Sequence, residues 1–157
     1  MTGARLLGGV ALAGLAAVAA ALVSQHRFDM QPCPWCVLQR LLYLVIAAAC
    51  GVGLLWRSTF GHRFMAGLGL VLALAGVAAA LWQHFRAAAS ASCNLTLADK
   101  IVSRWLQLDV TLPDVFEARA TCADAAVNLL GVPYAFWSLA LFVAISAALA
   151  RVLVRPM

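Results

Sequence analysis

Apolar residues dominate this chain in four runs, each close to the roughly 20 residues that cross a bilayer as a helix. They cover about 6–23, 37–56, 64–82 and 132–154. Polar residues gather between them, in a first loop at about 24–36, a short turn around Arg57 to Arg63, and one long stretch at about 83–131. Backbone N–H and C=O groups find no water in hydrocarbon, so each run predicts a helix. In the third run Gly69, Ala73, Gly76 and Ala80 recur at four- and three-residue steps. Such a small-residue stripe lets neighbouring helices approach closely. In the long polar stretch Leu97, Ile101, Trp105 and Leu108 recur at helical spacing, with Lys100, Arg104 and Gln107 on other faces. That pattern predicts a short amphipathic helix lying on the membrane surface.

Composition turns this pattern into a fold class. Of 157 residues, 65% are hydrophobic and only 11% charged. A water-soluble domain of that length has no interior large enough for so much apolar surface. The expectation is an all-α integral membrane protein, a single domain over residues 1–157 built as a four-helix transmembrane bundle. The net charge of +5 does not point to nucleic acid, because the basic residues are scattered and mostly flank apolar runs, where they meet lipid headgroups.

Charge also orients the bundle. Arg57 and Arg63 fill the short loop between the second and third runs, with Arg5 before the first run and Arg151 and Arg155 at the end of the last. Short basic loops stay in the cytoplasm. Both termini are therefore expected inside, and the loops at 24–36 and 83–131 outside. The six acids, Asp29, Asp99, Asp109, Asp114, Glu117 and Asp124, all fall on that outer side.

Four of the five cysteines lie there too: Cys33, Cys36, Cys93 and Cys122. Disulfides persist in oxidising compartments such as the bacterial periplasm. Four cysteines allow three pairings; adjacency favours Cys33 with Cys36, which leaves Cys93 with Cys122. The Cys-Pro-Trp-Cys spacing suits a reversible disulfide. Cys33 can cap a helix whose first position is Pro34, where the missing N–H costs nothing. Cys36 then sits in the first turn, where the helix dipole favours a thiolate. Arg40 follows four residues on, on the same face, as a permanent positive charge. A thiol pair is thus expected at the membrane boundary, where soluble thiol chemistry can meet a lipid-soluble electron carrier.

Zinc is the main rival for a Cys-x-x-C pair, but zinc sites usually bring a second close pair and Cys93 and Cys122 are far apart in sequence. Haem attachment needs a histidine directly after Cys36, where Val37 stands. A transporter would place an acid within a span, and none of the six lies in one. Cys50, in the middle of the second run, reads as a small apolar filler.

Gln31-Pro32-Cys33-Pro34-Trp35-Cys36-Val37-Leu38-Gln39-Arg40, the lone Cys93, Cys122 ahead of Leu129-Leu130-Gly131-Val132-Pro133, and Trp137-Ser138 together resemble the disulfide bond formation protein B family, DsbB. The resemblance covers essentially the whole chain. It implies a thiol:quinone oxidoreductase in the bacterial inner membrane, an enzyme that reoxidises a DsbA-like periplasmic thiol oxidase. Reduced DsbA-like protein would attack Cys93, the freed Cys122 would attack Cys33, and Cys36 would pass electrons to ubiquinone or menaquinone. Arg40 would stabilise the charged intermediate, and Gln83 would lie near the quinone. His84, beside it at the outer end of the third run, is a further candidate to bind a quinone carbonyl. Family members often carry Glu where this chain has Gln39. A quinone reductase of the vitamin K epoxide reductase type is the nearest alternative, but its thiol pair sits near the end of a late helix, whereas this one opens the second.

Overall fold

The computed structural model describes residues 3–89 and 96–154. Four long helices form the protein: α1 (Gly3–Phe28), α2 (Pro34–Leu55), α3 (Thr59–Trp82) and, closing the chain, α7 (Tyr134–Val154). All four are long and apolar enough to cross a membrane, with α3 continuing through a π-helical turn, Gln83–Ala87. The chain is a multi-pass helical membrane protein.

The helices outrun the hydrophobic runs that announce them. α1 extends to Phe28 and α2 begins at Pro34 rather than at Val37. Hydropathy marks the hydrocarbon-matched part of a helix, whereas the backbone ladder goes on until something breaks it. Asp29 breaks α1 with a left-handed φ of 53°, and Arg57 follows α2 with a φ of 36°. Only α7 starts later than expected, because Val132 and Pro133 are drawn into a small hairpin. That hairpin pairs β1 (Asn128–Leu129) with β2 (Val132–Pro133) in antiparallel register. Its two-residue turn puts both Leu130 and Gly131 at positive φ, which matches the right-handed twist of the flanking strands.

α1 packs on α2, α2 on α3, α3 on α7, and α7 back on α1. Arg63, in α3, donates from Nη2 to the Leu153 carbonyl at 3.0 Å, so the short basic turn and the end of α7 share one end of the bundle. The small-residue stripe is buried as expected. A methyl group on Gly69 would stand 3.0 Å from Leu149, and one on Gly76 would run into the Phe142 ring. Phe142 in turn stacks on Tyr43, with centroids 4.1 Å apart and planes 3° from parallel. Lipid tails are as apolar as these side chains, so close van der Waals fit, not expulsion from water, holds the helices together. Leu12, Val71, Leu74 and Val143 face outward, each more than half exposed, as lipid-facing residues should.

The long loop roofs the other end. Its first described helical piece, α4 (Leu97–Asp99), begins with a reciprocal cap between Thr96 and Asp99 and runs into a π-helical segment, Lys100–Trp105. After it come α5 (Leu108–Thr111) and α6 (Pro113–Phe116). The expected helix is present, but not as one continuous amphipathic stripe. The wider π winding and the left-handed Gln107, φ 50°, separate Leu108 from the residues before it. Ala98 and Val102 are the buried positions, while Leu97 and Trp105 are turned outward. Ala98, Val102 and Phe116 join Cys33, Trp35, Val37, Leu38, Ala79 and Cys122 in a second apolar cluster, distinct from the core of the bundle.

Candidate active site

Cys33 caps α2, accepting the backbone N–H of Cys36 on its sulfur at 3.4 Å. With Pro34 at the first helical position, the chain enters the helix at an angle that brings Cys36 Sγ within 3.0 Å of Cys33 Sγ. The loop supplies the third sulfur. Arg119 and Ala120 both donate backbone N–H groups to the Pro32 carbonyl, at 3.0 and 3.2 Å. A turn closed by Thr121 and Asp124 then presents Cys122 against Cys33. Cys33 is fully buried and Cys122 nearly so.

Contact with Cys122 is the strongest influence on Cys33. Its hydrogen bond to Cys122, its bond to Cys36 and its burial all push the Cys33 thiol well up from the ordinary range. The same contact lowers Cys122, whose sulfur accepts from Cys33. With all three sulfurs reduced, Cys122 therefore gives up its proton more readily than Cys33 does.

Arg40 lies on the inner side of Cys36 and is buried. Nη1 donates to Gln25 Oε1 at 2.8 Å and to the Val115 carbonyl at 2.9 Å, and Nη2 to the Ala21 carbonyl at 3.5 Å. All three acceptors are neutral. Among the described residues the ion pairs are those of Arg119 with Asp114 and Glu117. A buried cation without a carboxylate is costly, and its field is left free to act on Cys36 and on whatever enters beside it.

What can enter is set by a cavity of about 660 Å³ between α1, α2 and α7. Cys36, Arg40 and Gln83 reach it, together with Gln39, Tyr134 and Ser138, and apolar residues such as Ala17, Ala20 and Leu141 form its walls. Apolar walls with a few convergent polar groups suit a flat, lipid-soluble ring. Gln83 donates from Nε2 to Cys36 Sγ at 3.2 Å. His84 is not brought to this cavity. The π turn points it away, and its ring packs on Phe85 and Phe136, at 4.9 and 4.5 Å between centroids. Cys93, and with it the Cys93–Cys122 pair, lies outside the described residues. Cys50 is buried in the bundle core, apart from the other sulfurs.

Gln25, Gln39, Tyr43 and Ser138 also meet at the site; Gln39 and Ser138 entered the sequence reading only as part of a motif, and Gln25 and Tyr43 not at all. Their signal was present nonetheless, because a polar side chain inside an otherwise apolar span marks a partner or a pathway.

Comparison with known proteins gives the family. The family described as disulfide bond formation protein DsbB matches residues 4–152. Disulfide bond formation protein B of Herminiimonas arsenicoxydans is 31% identical over 138 residues, covering 87% of this chain and 86% of the relative. Disulfide bond formation protein B 2 of Pseudomonas aeruginosa is 33% identical over 139 residues, with 85% and 80% covered. Disulfide bond formation protein B of Burkholderia pseudomallei is 31% identical over 157 residues, with 96% and 89% covered. A membrane bundle that gathers three sulfurs beneath its loop, matched along nearly its whole length, belongs to the disulfide bond formation protein DsbB family of thiol oxidoreductases.

Proposed function

We propose that this protein is a thiol:quinone oxidoreductase of the bacterial inner membrane. It would reoxidise a DsbA-like periplasmic thiol oxidase and deliver two electrons to ubiquinone or menaquinone. The observation that carries the reading is the line of groups from loop to cavity: Cys122 against Cys33, Cys33 at 3.0 Å from Cys36, and Cys36 beside Arg40 at the cavity wall.

Each exchange moves one disulfide and two electrons. A thiolate of the reduced partner attacks the Cys93–Cys122 disulfide at Cys93, breaking the S–S bond and releasing Cys122 as thiolate. The partner's second thiol then releases Cys93 and leaves the partner oxidised. Cys122 attacks Cys33 of the Cys33–Cys36 disulfide, and Cys36 leaves as thiolate beside Arg40 and Gln83. Cys93 closes on Cys122 and restores the outer disulfide, leaving Cys33 and Cys36 reduced. A quinone bound in the cavity supplies the final acceptor of two electrons and two protons. Arg40 favours negative charge at Cys36 and at the cavity wall, Gln83 orients the sulfur, and the apolar walls exclude water. The active sulfurs face the periplasm and both termini the cytoplasm in this reading, which the arginine-rich turn supports.

Purified protein supplied with reduced DsbA-like substrate and a water-tolerant ubiquinone analogue tests this by the absorbance of the quinone. Cys33→Ser, Cys36→Ser, Cys93→Ser and Cys122→Ser are each expected to abolish turnover, and Cys50→Ala to leave it unchanged. Full turnover in Cys36→Ser would refute the relay.

A further inference from the structure

A second set of contacts leads away from Cys36, into the bundle. Gln83 Nε2 donates to Cys36 Sγ at 3.2 Å. Gln83 Oε1 accepts from Gln39 Nε2 at 2.6 Å. Gln39 Oε1 accepts from Ser138 Oγ at 2.6 Å. The Tyr43 hydroxyl stands 2.9 Å from Ser138 Oγ and donates to the Ser138 carbonyl at 3.1 Å. Gln39 and Gln83 are both buried, so losing a partner in this line costs more than it would at the surface.

We propose that Ser138 and Gln39 are positioning residues that set which face of the Gln83 amide meets Cys36, and thereby hold that sulfur as a hydrogen-bond acceptor. The logic is one of parity. A thiolate only accepts. Gln83 must then turn its NH₂ toward the sulfur, which points its carbonyl oxygen at Gln39. Gln39 must answer with its own NH₂, which leaves its carbonyl oxygen facing Ser138, and the Ser138 hydroxyl donates to it. The Gln83, Gln39 and Ser138 groups are oriented with this polarity. In a low-dielectric interior the bonds of such a line reinforce one another. Remove the Ser138 hydroxyl and nothing holds the Gln39 oxygen in place. Both amides are then free to turn over and present the Gln83 oxygen to the sulfur, which favours the thiol.

The inference rests on Cys36 being the redox sulfur of the proposed reaction, but its test needs neither quinone nor protein partner. A failure of quinone reduction would leave it untouched, and the reverse holds too. The other ionisable groups around Cys36 are Cys33, Arg40 and Tyr43 on its own element and Tyr134 on α7. Cys122 comes from the loop, with Asp29, Arg119 and Asp124 at the cavity rim. All are unchanged in the comparison, save the cysteines removed from every sample alike.

The measurement is the pH profile of Cys36 alkylation in detergent, read by mass spectrometry, in a parent carrying Cys33→Ser, Cys50→Ala, Cys93→Ser and Cys122→Ser. Loss of one hydrogen bond's net effect is worth about three- to tenfold in an equilibrium. Ser138→Ala is expected to slow alkylation at neutral pH about threefold and to move its midpoint upward. Ser138→Thr, which keeps the hydroxyl, is expected to match the parent. Gln39→Met, which keeps the length but breaks the line at its centre, is expected to slow alkylation by up to about tenfold. If these polar groups only tie α2, α3 and α7 together, the variants lose thermal stability while the midpoint stays put. A folded Gln39→Met with the parent's midpoint overturns the proposal on its own, even where Ser138→Ala does not fold.

Discussion

Replacing Arg40 by Met separates the two halves of the proposed relay. The substitution removes a permanent charge and keeps much of the side chain's volume. Cys36 and Arg40 are four residues apart on one helix face, with Cβ atoms about 6 Å apart, a separation taken for the two charges as well. At an effective dielectric of about 20, unit charges at that distance attract by about 3 kcal/mol, or about a hundredfold in an equilibrium. Quinone-dependent turnover should fall by about that factor. The fold should survive, because no carboxylate within ion-pair distance of Arg40 is left stranded among the described residues. The guanidinium's acceptors are one side-chain amide and two backbone carbonyls, and losing a donor to such groups costs about 1–3 kcal/mol. Two assays are needed on one preparation. Quinone reduction reports the inner half, and formation of the mixed disulfide with reduced DsbA-like protein reports the outer half. Turnover within a factor of three of the unsubstituted protein would refute the electrostatic role of Arg40. Equal losses in both assays would mean that the substitution damages the fold.

Two further expectations concern the sulfurs and the packing. Because Cys33 donates to Cys122 and lowers it, the reduced protein should alkylate faster at Cys122 than at Cys33 near neutral pH. Cys33→Ala should move the Cys122 midpoint upward while Cys33→Ser, which keeps a donor, moves it less; identical midpoints in both would contradict the pairing. Gly76→Ala forces a methyl into the Phe142 ring and should cost about 1–3 kcal/mol as overpacking, seen as a lower unfolding temperature in detergent. Gly67→Ala, with nothing among the described residues within 4 Å of the added methyl, should not lower that temperature.

The cysteine spacing was readable because its geometry is local. A cap, a proline and one turn of helix decide where Cys33, Cys36 and Arg40 lie, and all are consecutive in sequence. The small-residue stripe was readable for the same reason, since four-residue steps fall on one helix face whatever lies opposite. The loop was less so. Leu97, Ile101, Trp105 and Leu108 keep helical spacing on paper, but one π turn changes the residues per turn and Gln107 interrupts the helix, so Ala98 and Val102 face inward instead. His84 illustrates the same limit. It adjoins Gln83 in sequence, yet the π turn sends the two side chains to different surroundings, one to Cys36 and the other to Phe136.

The sequence by itself determined that the chain crosses a membrane four times, that its thiol pair opens a helix at the boundary, and that a fixed cation stands one turn deeper. Those features depend on composition and on neighbours a few residues apart. Only the tertiary structure decided that Cys122 meets Cys33, that Arg40 is buried against neutral hydrogen-bond acceptors, and that Gln39, Gln83 and Ser138 form one line to Cys36. Each of these joins residues from different helices or from the loop. Such contacts depend on which faces pack together and on how the backbone of residues 119–120 is tied to Pro32, and no periodicity along a single segment encodes that.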